Sequence, residues 1–261
     1  MIGIFDSGLG GLTALREIRR LTPGEELIYF GDTGRVPYGT KSAETITKFA
    51  LQDAAFMASK NVDAILVACG TVSTTALDVL QKRFPMPIIG VLEPAAEAAA
   101  KATKNGKIAV IGTSATVRSC AFPNKIAQID PDIEVVSRPC PLFVPLVESG
   151  FVGMDCEITR LACEHYLADI RESGADTLIL GCTHFPIIAD VIASVLPGVT
   201  LINTGAEAAK KLVSRLGTKP GRAPVRYFVS DAPDAFAGSA SRFLGEEISD
   251  ADVAKIDIET F

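Results

Sequence analysis

Short apolar runs alternate with segments of helical periodicity along most of the chain. Between the runs, apolar residues recur every three or four positions, as they do on one face of an α-helix. The predicted strands are Ile2–Phe5, Leu27–Phe30, Ala64–Ala68, Ile88–Val91, Ile108–Ile111, Ile133–Ser137, Thr177–Leu180 and Thr200–Ile202. The predicted helices are Gly11–Arg20, Ser42–Lys60, Thr75–Phe84, Pro94–Thr103, Asp155–Ser173, Pro186–Val195 and Ala206–Leu216. This alternation predicts an α/β fold.

The same order of segments occurs twice, at an offset of about 110 residues. Three pairs of similar segments share this offset and this order. They pair Ile2–Ser7 with Ile108–Thr113, Asp63–Cys69 with Asp176–Cys182, and Pro94–Ala99 with Thr204–Ala209. Chance similarity between strand ends is the alternative, but three matches in one order favour a duplicated α/β unit.

We therefore predict two pseudo-symmetric α/β lobes with mostly parallel sheets and an active site in the cleft between them. Residues 1–92 and 207–261 would form the first lobe, and residues 93–206 would form the second. The segment after Leu216 has no partner in the repeat, so we expect it to pack against the first lobe.

Cys69 and Cys182 occupy matching positions in the repeat, each after an apolar strand and before a helix. Ligands of open α/β sheets bind at the carboxyl ends of strands, so the two thiols could reach one ligand from opposite sides. Two like acid–base groups suit a reaction that removes a proton from one face of a carbon and returns it to the other. The positive end of each helix would lower the pKa of the thiol beside it. The alternative is that both thiols are small buried core residues.

Other uses of the cysteines find less support in the sequence. A zinc site of Cys69, Cys182 and His184 would lack the paired ligand spacing of structural zinc sites. A thiol redox site would need a C-x-x-C pair, which the sequence does not contain. Cys156 and Cys163 lie seven positions apart in a predicted helix, which favours packing in the core.

Three further residues are candidates for acid–base chemistry. Asp6 follows the first strand, where its carboxylate can face the cleft or cap a helix. The glycine-rich turn after it lacks the pattern and the lysine of phosphate-binding loops. Glu148 ends a proline-rich apolar segment and is either a cleft residue or a solvated side chain, and His184 lies close enough to Cys182 to relay a proton. Asp6 and Cys69 belong to the first predicted lobe, and Glu148, Cys182 and His184 belong to the second.

Composition and charge exclude several classes of protein. The chain has 261 residues, of which 48% are hydrophobic and 21% charged, as in a globular enzyme. The net charge is −6 and no basic cluster occurs, so we expect neither nucleic acid nor an anionic membrane as a partner. The first residues show no secretory signal, and no apolar run would span a bilayer. We expect a cytoplasmic protein with reduced cysteines.

The chain resembles the glutamate racemases, a branch of the aspartate/glutamate racemase superfamily. The matching segments follow the family order over most of the chain, which makes the resemblance specific. They are Gly3–Leu12, Tyr29–Thr33, Val36–Thr40, Val67–Cys69, Cys140–Glu148 and Leu178–Pro186. The two cysteines mark the superfamily, and the Asp-Ser-Gly and Pro-Tyr-Gly elements indicate the glutamate branch.

This resemblance implies a cofactor-independent enzyme that interconverts L- and D-glutamate and supplies D-glutamate for peptidoglycan. In the family, the thiolate at the Cys69 position removes the Cα proton of the D isomer, and the one at the Cys182 position removes that of the L isomer. The opposite thiol returns a proton, and groups at Asp6, Glu148 and His184 assist. Neither a cofactor nor a metal is expected.

The resemblance also implies substrate contacts and partners. The expected substrate contacts are Asp6, Ser7, Pro37, Tyr38, Gly39, Gly70, Thr71, Thr113, Thr116, Thr183 and His184. The expected small-molecule partner is glutamate, and the chain is expected to form a homodimer. Binding to DNA gyrase, which is reported for some family members, has no support in this sequence.

Gly70 departs from the family pattern, which usually has asparagine after the first cysteine. The missing side-chain hydrogen bond would cost about 1.5–3 kcal/mol of substrate binding, unless a backbone N–H or a water replaces it. Asn203 stands where an aspartate is more common. Two alternatives to a glutamate racemase follow: a racemase for aspartate or another amino acid, and a binding protein that has kept only the fold.

Overall fold

A computed structural model describes residues 1–261, apart from the side chain of Asp250. The strands are β1 (Ile2–Asp6), β2 (Leu27–Gly31), β3 (Ala64–Val67), β4 (Ile88–Gly90), β5 (Lys107–Gly112), β6 (Glu134–Pro139), β7 (Thr177–Leu180), β8 (Thr200–Asn203), β9 (Val225–Val229) and β10 (Val253–Lys255). The α-helices are α1 (Leu12–Leu21), α2 (Ala43–Ser59), α3 (Gly70–Thr75), α4 (Leu77–Arg83), α5 (Leu92–Ala102), α6 (Ser114–Arg118), α7 (Ala121–Ile129), α8 (Phe143–Glu148), α9 (Glu157–Ser173), α10 (Ala189–Val195), α11 (Thr204–Leu216) and α12 (Pro233–Leu244). Short 3₁₀ helices cover Thr33–Arg35, Tyr38–Thr40, Phe185–Ile188, Asp250–Asp252 and Ile258–Thr260.

Two parallel sheets form the centre of the molecule. The first has the strand order β10-β9-β2-β1-β3-β4, and the second has the order β6-β5-β7-β8. Neighbouring strands pair in parallel throughout both sheets. The order β2-β1-β3-β4 recurs as β6-β5-β7-β8, so the repeat in the sequence is also a repeat of topology. The predicted α/β fold with two pseudo-symmetric lobes is confirmed.

Two helices cross between the lobes. Helix α5 follows β4 of the first sheet and packs on β7 and β8 of the second sheet. Helix α11 follows β8 of the second sheet and packs on α1, beside the first sheet, and on α5. The two connections therefore bind the lobes to each other. The lobe boundaries near residues 92 and 206 stay a prediction.

The predicted strands form because their apolar runs are buried on both faces. Every residue of β1, β2, β3 and β7 is buried, as is typical of central strands in parallel sheets. One apolar cluster extends through both lobes, from Ile4 and Leu15 to Leu178 and Phe185. No helix in the described part of the chain combines the length and the hydropathy needed to cross a bilayer.

The pattern of apolar residues predicted neither α6, α7 and α8 nor the elements near the C-terminus. Strand β9 pairs with β2, β10 pairs with β9, and α12 packs on α1 and on both of these strands. Strand β9 interrupts its apolar run with the exposed Arg226, and α12 is rich in alanine, glycine and serine. Neither therefore shows a strong period. The predicted helix Thr75–Phe84 is α4, and the separate helix α3 begins directly after Cys69.

Candidate active site

A cavity of about 340 Å³ lies where the carboxyl ends of strands from both sheets meet. The predicted residues in its walls are Ser7, Pro37, Tyr38, Gly39, Cys69, Gly70, Thr71, Thr113, Glu148, Cys182, Thr183 and His184. Residues in its walls that were not predicted are Gly8, Val36, Thr40, Ser114, Cys140, Pro141, Val144 and Pro145. Asp6 and Thr116, which were predicted, are buried outside these walls. The cavity therefore draws on both lobes.

The first half-site consists of Asp6, Ser7 and Cys69. Strand β1 ends at Asp6, and β3 ends just before Cys69, so the parallel pairing of these strands brings the residues together. The Cys69 sulfur lies 3.6 Å from the Ser7 hydroxyl oxygen. Asp6 is fully buried, and its Oδ2 accepts a hydrogen bond of 3.0 Å from the N–H of Gly8.

Burial controls the protonation of this half-site. Burial raises the pKa of Cys69 to about 12, and the nearby Asp6 carboxylate acts in the same direction. The prediction that a helix N-terminus lowers the pKa of this thiol is therefore wrong: α3 has only six residues, and its N–H groups do not outweigh burial. Burial also raises the pKa of Asp6, whose Oδ1 has no hydrogen-bond partner among the described atoms. The N-cap of α1 is Gly11, so Asp6 does not occupy the capping position.

The second half-site consists of Glu148, Cys182 and His184. The Cys182 sulfur lies 3.9 Å from Nδ1 of His184, and Nε2 of the same ring lies 2.9 Å from Oε1 of Glu148. Burial alone would lower the pKa of His184, but the hydrogen bonds to Cys182 and Glu148 outweigh it and raise the pKa to about 10. The imidazole can therefore hold a proton between a sulfur and a carboxylate.

Helix α12 supports the second half-site from the side of the first sheet. The Phe243 ring packs edge-on against His184, with 5.3 Å between ring centroids. Arg242 Nη1 donates to the backbone carbonyls of Glu148 and Val147, at 2.7 and 3.3 Å. Neither residue was among the predicted site residues, because α12 was not predicted. Their contacts also join parts of the chain that are far apart in sequence.

The two half-sites touch through a pair of glycines. A Cβ atom at Gly70 would lie 2.2 Å from the carbonyl oxygen of Gly181, which is closer than real contacts allow. Gly70 follows Cys69, and Gly181 precedes Cys182, so this contact sets how near the two thiol-bearing segments can come. The hydroxyl oxygens of Thr71 and Thr113 add a hydrogen bond of 2.9 Å between the lobes.

Two further residues, Thr113 and Asn203, cap the N-termini of helices. Thr113 caps α6, because its hydroxyl accepts from the N–H of Thr116. Asn203 caps α11 by accepting from the N–H of Ala206, so its departure from the family pattern lies outside the cavity walls.

The remaining cysteines differ in their surroundings. All six cysteines are free thiols. Cys163 is buried in the core as predicted, whereas Cys156 is only partly buried and Cys140 lies in the cavity wall. Among the described residues, no group of three or more His, Cys, Asp or Glu side chains is arranged to hold a metal ion.

Comparison with known proteins gives a consistent result. The sequence model of the Asp/Glu/hydantoin racemase family matches residues 2–212. The glutamate racemase of Geobacter metallireducens is 44% identical over an alignment of 265 positions, which covers 99% of this chain and 97% of that protein. The crystal structure of glutamate racemase from Francisella tularensis in complex with D-glutamate matches with a TM-score of 0.91 and 37% identity, covering 100% and 98% of the two chains. The Thermus thermophilus enzyme in complex with β-chloro-D-alanine matches with a TM-score of 0.88 and 41% identity, covering 100% and 98%.

Proposed function

Because the chain belongs to the Asp/Glu/hydantoin racemase family, we propose that it interconverts L- and D-glutamate with Cys69 and Cys182 as its two acid–base groups. The observation that carries the proposal is the placement of two buried thiols, from matching strand ends of two sheets, in one cavity. The relatives that are similar over nearly the whole chain are glutamate racemases, which supports glutamate as the substrate.

The reaction moves one proton at each face of the substrate. For L-glutamate, the Cys182 thiolate takes the Cα proton, so that a C–H bond breaks and an S–H bond forms. The Cys69 thiol then gives its proton to the opposite face of the carbanion and becomes a thiolate. For D-glutamate the two sulfurs exchange roles. Neither direction requires an oxidant, a reductant or an electron-accepting cofactor.

The two half-sites hold protons in different ways. His184, with a pKa raised to about 10, takes the proton that leaves Cys182, and Glu148 stabilises the resulting imidazolium. Burial keeps Cys69 protonated until a carbanion forms beside it. The state with a thiolate at Cys182 and a thiol at Cys69 is the one that accepts L-glutamate. Racemisation of L-glutamate leaves the proton on Cys182 and the thiolate on Cys69, and this second state accepts D-glutamate.

Hydroxyl groups around the cavity suit the carboxylates of an amino acid. Ser7, Thr71, Thr113 and Thr183 bring hydroxyl groups into the walls. Helices α3 and α6 begin beside them, and the first N–H groups of a helix have no partner within the helix. The Gly70 N–H belongs to the first turn of α3, where it can replace the amide that the family usually supplies.

Isotope exchange tests this function directly. In D₂O, L- or D-glutamate should gain deuterium at Cα without added pyridoxal phosphate, metal or nucleotide. Cys69→Ala and Cys182→Ala should each abolish racemisation, because each direction needs one sulfur as base and the other as acid. Cys120→Ala, which removes an exposed thiol, is the matched control. Near wild-type racemisation by both active-site variants would refute the mechanism, whereas activity only on another amino acid would refute the substrate.

We also propose that the product supplies peptidoglycan synthesis in the cytoplasm, where the free thiols stay reduced. Expression of the chain in a strain that requires D-glutamate should restore growth, and the Cys69→Ala variant should not. Failure of the wild-type chain to restore growth, at normal expression, would argue against this role.

We further propose a homodimer formed through the surface of α8 and α9. Leu142, Phe151, Ile158 and Leu161 are exposed there around one groove, and clustered exposed apolar residues mark protein interfaces. Leu161→Glu should shift the chain from dimer to monomer in sedimentation velocity, whereas Val79→Glu, at an exposed site elsewhere, should not. A wild-type monomer at micromolar concentration would refute the dimer.

A further inference from the structure

A closed ring of four polar side chains lies at one side of the cavity, where one of them, Tyr38, is part of the wall. The hydroxyl of Tyr38 contacts Oδ2 of Asp32 and, at 3.1 Å, Oδ2 of Asp53. Arg35 donates from Nε to Asp32 Oδ2 at 2.7 Å and from Nη2 to Asp53 Oδ1 at 3.0 Å. Both carboxyl groups are fully buried, and Tyr38 is 2% exposed. We call these four residues the carboxylate ring.

If both carboxyl groups were ionised, the ring would have too few hydrogens to make all of its hydrogen bonds. The Tyr38 hydroxyl has one hydrogen, but it faces two carboxyl oxygens. Asp32 Oδ2 already accepts from Arg35 and lies closer to the hydroxyl, so it receives the Tyr38 hydrogen. The contact between Asp53 and Tyr38 then needs a hydrogen on Asp53 Oδ2, which the Tyr38 oxygen accepts.

Charge leads to the same assignment. Two buried carboxylates beside one guanidinium would leave an uncompensated negative charge in the interior, which is costly. Burial raises the pKa of Asp53, and the negative charge of Asp32 raises it further. The other charged groups nearby are Asp6, which acts in the same direction, and the exposed Glu259, which lies 3.2 Å from Arg35 Nη1.

We propose that Asp53 carries a proton at neutral pH and that Asp53, Asp32 and Arg35 are positioning residues for Tyr38 and the substrate loop (residues 36–40). Every residue of this loop lies in the cavity wall. Arg35 ties the base of the loop to α2, where Gln52 Oε1 accepts from its Nη1 at 2.5 Å and the Phe49 ring lies 4.1 Å from its guanidinium carbon.

The carboxylate ring would act on the reaction through the substrate loop, which forms part of the cavity wall. The loop packs across the cleft, since a Cβ atom at Gly39 would lie 2.7 Å from Cβ of Thr113. A loop that moves away from the ring would therefore open the cleft between the lobes. The expected consequence is weaker binding of substrate rather than slower chemistry.

A pair of substitutions at Asp53 tests the proton assignment, with the proposed glutamate racemase activity as its assay. Asparagine supplies an N–H donor for the Tyr38 oxygen and a carbonyl for Arg35, so Asp53→Asn should keep KM for glutamate within about twofold of wild type. Asp53→Ala breaks both contacts and should raise KM about tenfold or more, with a smaller change in kcat. Asp32→Asn should resemble Asp53→Ala, because it removes the partner of the Arg35 charge. An Asp53→Asn variant whose KM rises as much as that of Asp53→Ala would overturn the proposal.

Unfolding measured against pH tests the ring without any activity. Because folding raises the pKa of Asp53, the folded chain keeps a proton that the unfolded chain releases above about pH 4. The stability of the wild type should therefore decline, relative to Asp53→Asn, as the pH rises above about 4, and it should keep declining until the pH passes the raised pKa of Asp53 in the folded chain. Asp132→Asn, at an exposed carboxylate, is the control and should show no such divergence. Parallel curves for wild type and Asp53→Asn would overturn the assignment even if the chain racemises glutamate, and diverging curves would support it even if it does not.

Discussion

The two half-sites share a scaffold but differ in chemistry. Each cysteine follows a buried parallel strand and precedes a helix, at matching places in the repeat. Two positions after Cys69 stands Thr71, which bonds to Thr113 across the cleft, whereas two positions after Cys182 stands His184, which contacts both the sulfur and Glu148. The repeat therefore explains where the thiols lie, and the side chains beside them determine where each proton rests.

This difference suits a reaction that is nearly symmetric in its substrate. Both isomers of an amino acid have the same functional groups, so a symmetric scaffold can present one sulfur to each face. The protonation of the two sulfurs cannot be symmetric, because at any moment one sulfur must be the base and the other the acid. In the proposed mechanism, His184 beside Cys182 provides one side of that inequality, and the burial of Cys69, reinforced by Asp6, provides the other.

Replacing the residue two positions after each cysteine should give the largest contrast. We expect His184→Ala to lower kcat/KM about 1,000-fold, because Cys182 loses the group that takes its proton. Thr71→Ala removes one hydrogen bond and should lower kcat/KM only about tenfold. Steady-state racemisation in both directions measures these effects, and Lys82→Ala, at an exposed residue of α4, is the control. Equal losses for Thr71→Ala and His184→Ala would show that the half-sites are chemically equivalent.

A substitution that moves the two half-sites apart should have the next largest effect on kcat/KM. Gly70→Ala places a Cβ atom against the Gly181 carbonyl, so the thiol-bearing segments must move apart by a fraction of an ångström or more. Misplacement on this scale can cost about 100-fold in kcat/KM. Gly238→Ala adds a Cβ atom in open space on α12 and should leave activity unchanged. Full activity of Gly70→Ala would mean that the glycine contact does not set the distance between the thiols.

The elements of the fold differ in how well the sequence predicts them. The central strands were predictable because parallel strands buried on both faces have continuous apolar runs. Strand β9 and helix α12 were not, since an exposed arginine interrupts one and small residues dominate the other. A local period shows an element only where burial is uniform along it.

The candidate site was predictable in position but not in its electrostatics. Motif spacing placed Cys69 and Cys182 after matching strands, but the pKa of Cys69 depends on how deeply the folded chain buries it. Arg242 and Phe243 could not be predicted from the sequence, because they contact Glu148 and His184 only after two distant segments have folded together. Sequence pattern therefore indicates the reacting groups better than it indicates the groups that tune them.

Removing the carboxylate of the second half-site should change the pH dependence of the enzyme. The hydrogen bond that His184 donates to Glu148 helps to raise the pKa of His184 from 6.5 to about 10, so Glu148→Gln should lower that pKa. The alkaline limb of the kcat/KM profile should move to lower pH, because a pKa that falls by about one leaves about tenfold less imidazolium at a given alkaline pH. A raised histidine pKa stabilises the folded state at low pH, and this stability is lost as pH rises through about 10. Glu148→Gln should therefore show a smaller loss of stability toward alkaline pH, and a profile identical to wild type would contradict the role of Glu148.

The smallest effect should come from the link between α12 and the second half-site. Arg242→Ala removes the donor to the carbonyls of Glu148 and Val147, which fixes the end of α8. Loss of such a bond costs about 1 kcal/mol, which corresponds to about fivefold in rate. We expect kcat to fall by about that factor, KM to stay near wild type, and the alkaline limb to move in the same direction as in Glu148→Gln but by less. Arg83→Ala, at an exposed arginine of α4, is the control. A change in KM alone would place Arg242 in substrate binding, and the asymmetry of the half-sites would then not depend on α12.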